Sequence, residues 1–306
     1  MDKKCLIIID CNSVAHRAFH ALPPLTNKKG EPLGAVYGFL LVFLKALKEF
    51  HPDFMAAAFD LPGLTFRHKE FQPYKAKRPR MPDELSSQIS KIKEVLRAFN
   101  VVIFEKEGFE ADDIIATIAQ LAQEKQATFK IETIILSGDA DVFQLVNENT
   151  KIYNLKKGVK NTVLYDIEKV KEKYSGLTPE QLPDFKGLRG DPSDNIPGVR
   201  GIGEKNGIKL IKEFGDIDNL YEGLEVESEK SKLISSRTKE ALLKYKKDAF
   251  LSKRLTQAKR DVPIEFNLEI CRFGGYEKEK IIKIFQELEF YSLITRLSDF
   301  KSFEER

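Results

Sequence analysis

Short apolar runs that close on an aspartate recur along this chain. Residues 5–10 read CLIIID, residues 54–60 read FMAAAFD and residues 134–141 read IILSGDAD. Runs of this length bounded by turn-forming residues predict buried strands. Between them the apolar positions recur at helical spacing, which predicts helices over 13–21, about 35–50 and about 82–99. The last of these opens on Pro82, Asp83 and Glu84, acids placed where a helix macrodipole favours them. Strand alternating with helix predicts an α/β fold with a mostly parallel central sheet flanked by helices. A further short strand is expected at 101–104, then a helix led by EADD at 110–113. Residues 150–165 read as a hairpin with a basic tip at Lys156, Lys157 and Lys160. Near Ser175 the chain turns helical and more polar, which places a boundary there and divides it into 1–175 and 176–306. The charged stretch at 225–255 and the amphipathic one at 277–297 read as scaffold.

The stretch at 134–141 organises the rest. Gly138 lets the chain turn sharply where the strand ends. In open α/β sheets the carboxyl ends of the strands form the crevice where ligands bind, so Asp139 and Asp141 should face it. The plain alternative is that they only cap a following helix at 142–147, since aspartate is a favoured cap. Other carboxylates argue against that alternative. Asp10 and Asp60 close the other two strand runs, Glu110, Asp112 and Asp113 lead a helix, and Asp191 and Asp194 sit in GDPSD at 190–194. Carboxylates gathered in one crevice repel each other unless cations lie between them. Hard oxygen donors of this kind suit Mg²⁺ or Mn²⁺, and paired ions suit phosphoryl chemistry. If 110–113 is helical throughout, Glu110 and Asp113 share a face. If Glu110 is still extended, Glu110 and Asp112 project together.

Composition narrows the class. Across 306 residues, 42% are hydrophobic and 32% charged, as expected for a soluble, cytoplasmic globular protein. The first apolar run is too short for a signal peptide, and nothing approaches a membrane span. Cys5, Cys11 and Cys271 have no CxxC spacing and read as reduced thiols. His16 and His20 stand four apart without a following glutamate or a further ligand, so they read as ordinary helix positions. Net charge is only +3. With the nine pocket carboxylates set aside, 50 basic side chains face 38 remaining acidic ones. A basic body around an acidic, metal-neutralised centre is what a nucleic-acid enzyme needs.

That charge is clustered. Arg67, Lys69, Lys75, Lys77, Arg78 and Arg80 stand against Glu70 alone, with Phe71 and Tyr74 interleaved. Cations can hold phosphates while aromatics stack a base. The alternative is an exposed loop whose aromatics fold back on the core. Farther on, GVRGIGEK at 198–205 reads as a glycine hairpin leading into a helix. Its exposed N–H groups make an anion site that grips a duplex backbone without reading bases. Gly198, Arg200, Gly201, Gly203 and Lys205 are the candidates there, as Arg67, Lys77 and Arg80 are in the basic segment.

Taken together, IIIDCNS, RAFHALP, TFRHKEFQPYKAKRPRMPDEL, EADD, SGDADVFQL and GLRGDPSDNIPGVRGIGEK resemble the 5′-nuclease domain of bacterial DNA polymerase I and the wider flap endonuclease superfamily. The resemblance covers essentially the whole chain. It implies a PIN/resolvase-like core, a helical arch at about 65–100 and a helix-hairpin-helix at about 185–215. It implies a structure-specific nuclease cutting DNA at 5′ flaps, nicks and 5′ ends with two Mg²⁺ or Mn²⁺ ions. Asp10, Asp60, Glu110 and Asp112 would serve mainly one ion, and Asp139, Asp141, Asp191 and Asp194 mainly the other, with Asp113 near both. Tyr74 would stack on a base beside the cut, while Lys75 and Arg78 would offset charge at the scissile phosphate. The hairpin would hold K⁺ beside the DNA. RNA primer ends, a polymerase in cis or in trans, and a monomeric state are further implications.

Cys11 stands where the family usually has glycine, Ala140 where a cation commonly separates the two aspartates, Arg200 for a frequent proline, and Asn206-Gly207 for Thr-Ala. Two other functions compete. Loss of any carboxylate would support a flap-binding paralogue with little catalysis, and none is lost. A small ribonuclease would explain Asp10, Asp60 and Asp139 but leaves the glycine hairpin without a purpose.

Overall fold

The computed structural model describes residues 3–124, 129–158 and 161–297. Six strands form one sheet: β1 Lys3–Asp10, β2 Phe54–Ala58, β3 Val102–Phe104, β4 Lys130–Ser137, β5 Thr150–Lys157 and β6 Asn161–Tyr165. Their order is β3-β2-β1-β4-β5-β6, parallel except for the antiparallel β5–β6 pair. The order reverses between β1 and β4, and in such sheets the crevice lies at the carboxyl ends flanking that point. Asp10 closes β1, and Ser137 closes β4 two residues before Asp139.

Alternation along β1 feeds two cores. Ile7 and Ile9 join one cluster, with the helices Cys11–Ala21, Gly34–Phe50 and Asp83–Ala98 and, from the far end of the chain, Lys278–Glu287. Leu6 and Ile8 face the other, with Ala111–Glu124 and residues drawn from the helical region as far as Cys271. A strand buried on both faces reads as a continuous apolar run, which is why no polar residue interrupts residues 5–9.

Several boundaries differ from the pattern-based expectation for local reasons. The first helix starts at Cys11 because Asp10 caps it, accepting from the Ser13 amide at 3.1 Å. The segment expected as a helix at 142–147 is a 3₁₀ turn, Asp141–Leu145. The basic segment holds one short helix, Phe66–Glu70, then turns as far as Ser87's helix, Asp83–Ala98. The hairpin forms as β5 and β6, with Lys160 outside the described residues. Among the described residues no helix is long and apolar enough to cross a membrane.

Candidate metal and nucleic-acid site

Polar side chains anchor the acidic strand ends. Ser137 Oγ donates to Asp10 Oδ2 at 2.6 Å, and the Gly138 amide donates to Ser13 Oγ at 3.0 Å. Arg17, which the sequence reading did not single out, donates twice to the Gly138 carbonyl, at 2.9 and 3.3 Å. A side chain on Gly138 would meet Arg17 Cγ at 2.4 Å, so glycine is needed there for close approach. Asp139 Oδ1 accepts from the Asp141 amide at 2.9 Å, so the capping alternative holds in part while Asp139 still lines the cleft. From the β2 side, Asp60 Oδ1 accepts from the Ala111 amide at 2.7 Å, tying that strand end to the helix that carries Asp112.

The open question at 110–113 resolves to the extended alternative. The helix begins at Ala111, and Glu110 and Asp112 both line the cleft. Asp113 turns away and is fully buried. Its two oxygens take Arg67 at 2.7 and 2.8 Å, along with the Glu110 and Lys259 amides. Asp113 is therefore saturated by protein donors.

That pairing corrects the expectation for Arg67. It is 3% exposed and also donates to the Leu255 and Gln257 carbonyls at 2.7 and 3.1 Å, so it is not available to a phosphate backbone. A guanidinium fork matches a carboxylate bidentately, and burial selects that partner over solvent. Tyr74 is corrected likewise. Its ring is 3% exposed against Ile196 and Leu255, so neither face is open to stack a base, and its hydroxyl donates to Glu110 Oε2 at 3.0 Å.

Lys75 and Arg78 do reach the acidic centre. Lys75 Nζ lies 2.7 Å from Glu110 Oε1, and Arg78 Nη2 lies 3.0 Å from Asp194 Oδ1. Lys186, another residue the sequence reading passed over, binds Asp141 and reaches Asp191 at 3.0 Å. It stands on Leu182–Arg189, one turn before Gly190, and supplies the cation that Ala140 does not. The Cys11 thiol does not crowd the cleft. It is packed in the apolar core, 3.6 Å from the Ile9 carbonyl.

The electrostatics divide the carboxylates into two groups. Glu110 and Asp191 sit below their ordinary range: burial pushes each up, but Lys75 and Arg67 beside Glu110, and Lys186 beside Asp191, more than offset it. Burial raises Asp10 to about 7 against its Ser137 hydrogen bond, with Asp139 and Asp60 adding to the rise. Asp141 rises to about 6 by burial despite Lys186. Asp112 goes well above the usual range, through burial first and then the charges of Asp10, Asp139 and Asp141. Among the described residues no three carboxylate, imidazole or thiol side chains form a ready-made cage for an ion. The donor set nevertheless fits divalent ions, because it is all hard oxygen and its central members are buried with too little positive charge.

The glycine hairpin follows Leu182–Arg189. The Val199 amide donates to the Leu188 carbonyl at 2.8 Å, and Gly198 donates to Ser252 Oγ at 2.9 Å. Gly203 precedes the helix Glu204–Phe214 and gives it no side-chain cap, leaving first-turn N–H groups open beside exposed Arg200 and Lys205. Such an end attracts anions. Gly207 lets this helix approach Phe185, since a Cβ there would stand 3.2 Å from the ring. Gly198 has φ +61, and a Cβ would fall 2.3 Å from the Gly190 amide nitrogen. Gly198→Ala is expected to cost at least about 2 kcal/mol in urea denaturation, from left-handed backbone and overpacking together. A midpoint within error of wild type would show that the hairpin closes another way. Lys77 and Arg80 are exposed.

A model of the 5′-3′ exonuclease N-terminal resolvase-like domain matches residues 5–175, and one of the 5′-3′ exonuclease C-terminal SAM fold matches 177–279. DNA polymerase I of Bacillus caldotenax is 44% identical over 99% of this chain and 33% of its own length. DNA polymerase I of Bacillus subtilis (strain 168) is 43% identical over 97% of the chain and 33% of its own length. The chain thus spans about a third of these relatives. In fold it is similar to T5 5′-exonuclease solved with divalent metal ions (zinc), at TM-score 0.66 and 21% identity over 94% of this chain and 99% of that one. The catalytic core of Rad2 in complex with DNA substrate aligns at TM-score 0.58 and 17% identity, over 95% of this chain and 89% of that one.

Proposed function

Because the chain belongs to the 5′-3′ exonuclease family, we propose that it hydrolyses DNA phosphodiesters at 5′ flaps, nicks and 5′ ends in replication and repair. One observation carries this reading: Glu110, Asp112, Asp139, Asp141 and Asp194 line one cleft with the cations Lys75 and Arg78. Asp10 and Asp60 stand close enough for their charges to act on its carboxylates, and Lys186 ties Asp141 to Asp191 behind it. Asp10, Asp60, Glu110 and Asp112 would hold one Mg²⁺ or Mn²⁺, and Asp139, Asp141, Asp191 and Asp194 the other. Bound there, such ions supply positive charge to the phosphodiester and make an attacking water more acidic.

The chain's own side chains have separate tasks. Ser13 and Ser137 fix Asp10, and Lys186 holds Asp141 against Asp191. Tyr74 positions Glu110 through its hydroxyl. Lys75 and Arg78 now neutralise Glu110 and Asp194. Once those carboxylates have other counterions, the two side chains can turn toward the phosphate oxygens, an electrostatic role. Lys77 and Arg80 bind the backbone of the single strand, and the Gly198–Gly203 hairpin with Arg200 and Lys205 binds the duplex, with K⁺ on the hairpin carbonyls. RNA primer ends are a further substrate, a polymerase acts in cis or in trans, and the chain works as a monomer.

Metal should stabilise the fold, because only the native state gathers these carboxylates. Relative to protein stripped with EDTA, Mg²⁺ at about a hundred times its Kd should add about 2.7 kcal/mol and raise Tm accordingly. Asp112→Ala should reduce that rise. A Tm indifferent to Mg²⁺ and Mn²⁺ would contradict the assigned ligands.

A further inference from the structure

A second cavity, of about 310 Å³, adjoins the acidic cleft and is lined by Phe66, Glu70, Arg254, Gln257, Lys259 and Arg260, with Ala258 common to both. Its size lies in the range of ligand sites, whereas the acidic cleft has only about 20 Å³. Three cations face one acid, and Glu70 is taken by Arg254 at 2.6 Å. Lys259 and Arg260 are exposed and have no carboxylate partner among the described residues. Phe66 is half-buried, with the Arg67 guanidinium 4.5 Å and Lys259 Nζ 5.6 Å from its ring centre. A ring beside unpaired cations is the arrangement that stacks a base and holds its phosphate.

Its place relative to the hairpin indicates which strand it meets. On the helix Lys246–Thr256, Ser252 accepts from Gly198 of the hairpin, and Arg254, two positions on, reaches Glu70. Residues two apart on a helix point in nearly opposite directions. The cavity therefore lies on the far side of this helix from the duplex-binding hairpin and meets the acidic cleft at Ala258.

Resting on the nuclease reading above, we propose that this cavity is a subsite for single-stranded nucleic acid. It takes a nucleotide of the 5′ strand that has passed the acidic cleft, with the base against Phe66 and the phosphates on Lys259 and Arg260. Affinity in EDTA would be measured for a nicked duplex and for the same duplex with a six-nucleotide 5′ flap, labelled on the template strand. Wild type should bind the flap about tenfold more tightly than the nick. Lys259→Ala/Arg260→Ala, and separately Phe66→Leu, should lose that gain and leave nick binding unchanged. The slope of log affinity against log salt should fall by about 0.7 for each phosphate contact removed. A gain that persists in both variants, with nick binding and Mg²⁺-dependent cleavage intact, would overturn the subsite alone. A free deoxynucleoside monophosphate that binds as tightly as the flap's gain would show a site for a soluble nucleotide and overturn the strand assignment. If wild type binds neither duplex, the nuclease reading falls and the subsite with it.

Discussion

Arg67→Met should lower folding stability by about 3–5 kcal/mol, because it strands a fully buried carboxylate at Asp113. The pair stands at the junction of three segments. Arg67 comes from the short helix after β2, Asp113 from the helix that carries Asp112, and the Leu255 and Gln257 carbonyls from the helical region. Removing the guanidinium leaves five acceptors short of a donor at once. Removing both charges should be milder, because no ion is left stranded. The Glu110 and Lys259 amides and the Leu255 and Gln257 carbonyls still lose partners, so Arg67→Met/Asp113→Leu should recover only part of the loss. Urea denaturation of the two single variants and the double variant measures the coupling directly. A single-variant cost below about 1 kcal/mol would mean that the junction is held by packing alone, with Arg67 free to serve DNA.

Asp112→Asn should reduce cleavage by several kcal/mol of barrier, on the order of a thousandfold, with flap affinity nearly unchanged. At Asp112 the chain's own cations do little. Burial and the charges of Asp10, Asp139 and Asp141 all push it up, and Lys75 opposes them only weakly. Asparagine keeps the shape and removes the charge, so the loss would be electrostatic. Single-turnover cleavage with a parallel binding isotherm separates the two effects. Equal losses in affinity and rate would assign Asp112 to DNA binding.

The strand ends were legible because each apolar run closes on Asp or on a Ser-Gly turn. The parallel pairing follows from the alternation with helices, whereas the strand order emerges only from the structure. Arg67 was not legible. In a run of six cations nothing in composition marks the one that turns inward, and its partner Asp113 differs from Asp112 only by the 100° of one helical step. Tyr74 misleads for the same reason: an aromatic among cations reads the same whether its ring faces solvent or, as here, packs against Ile196 and Leu255. Lys186 was within reach of the sequence, since a cation one helical turn before the Gly190 turn lies beside whatever Asp191 faces. A glycine at 207 lowers the helix propensity of its segment, and only the Phe185 ring shows why the position is small.

The most direct test of a metal-dependent 5′ nuclease is cleavage of a 5′-labelled flap duplex with Mg²⁺, run beside the same protein in EDTA and beside Asp139→Ala. Short labelled products from the wild type with Mg²⁺ alone are the expected result. Tight flap binding by all three with no metal-dependent product would contradict the catalytic reading and leave a DNA-binding protein.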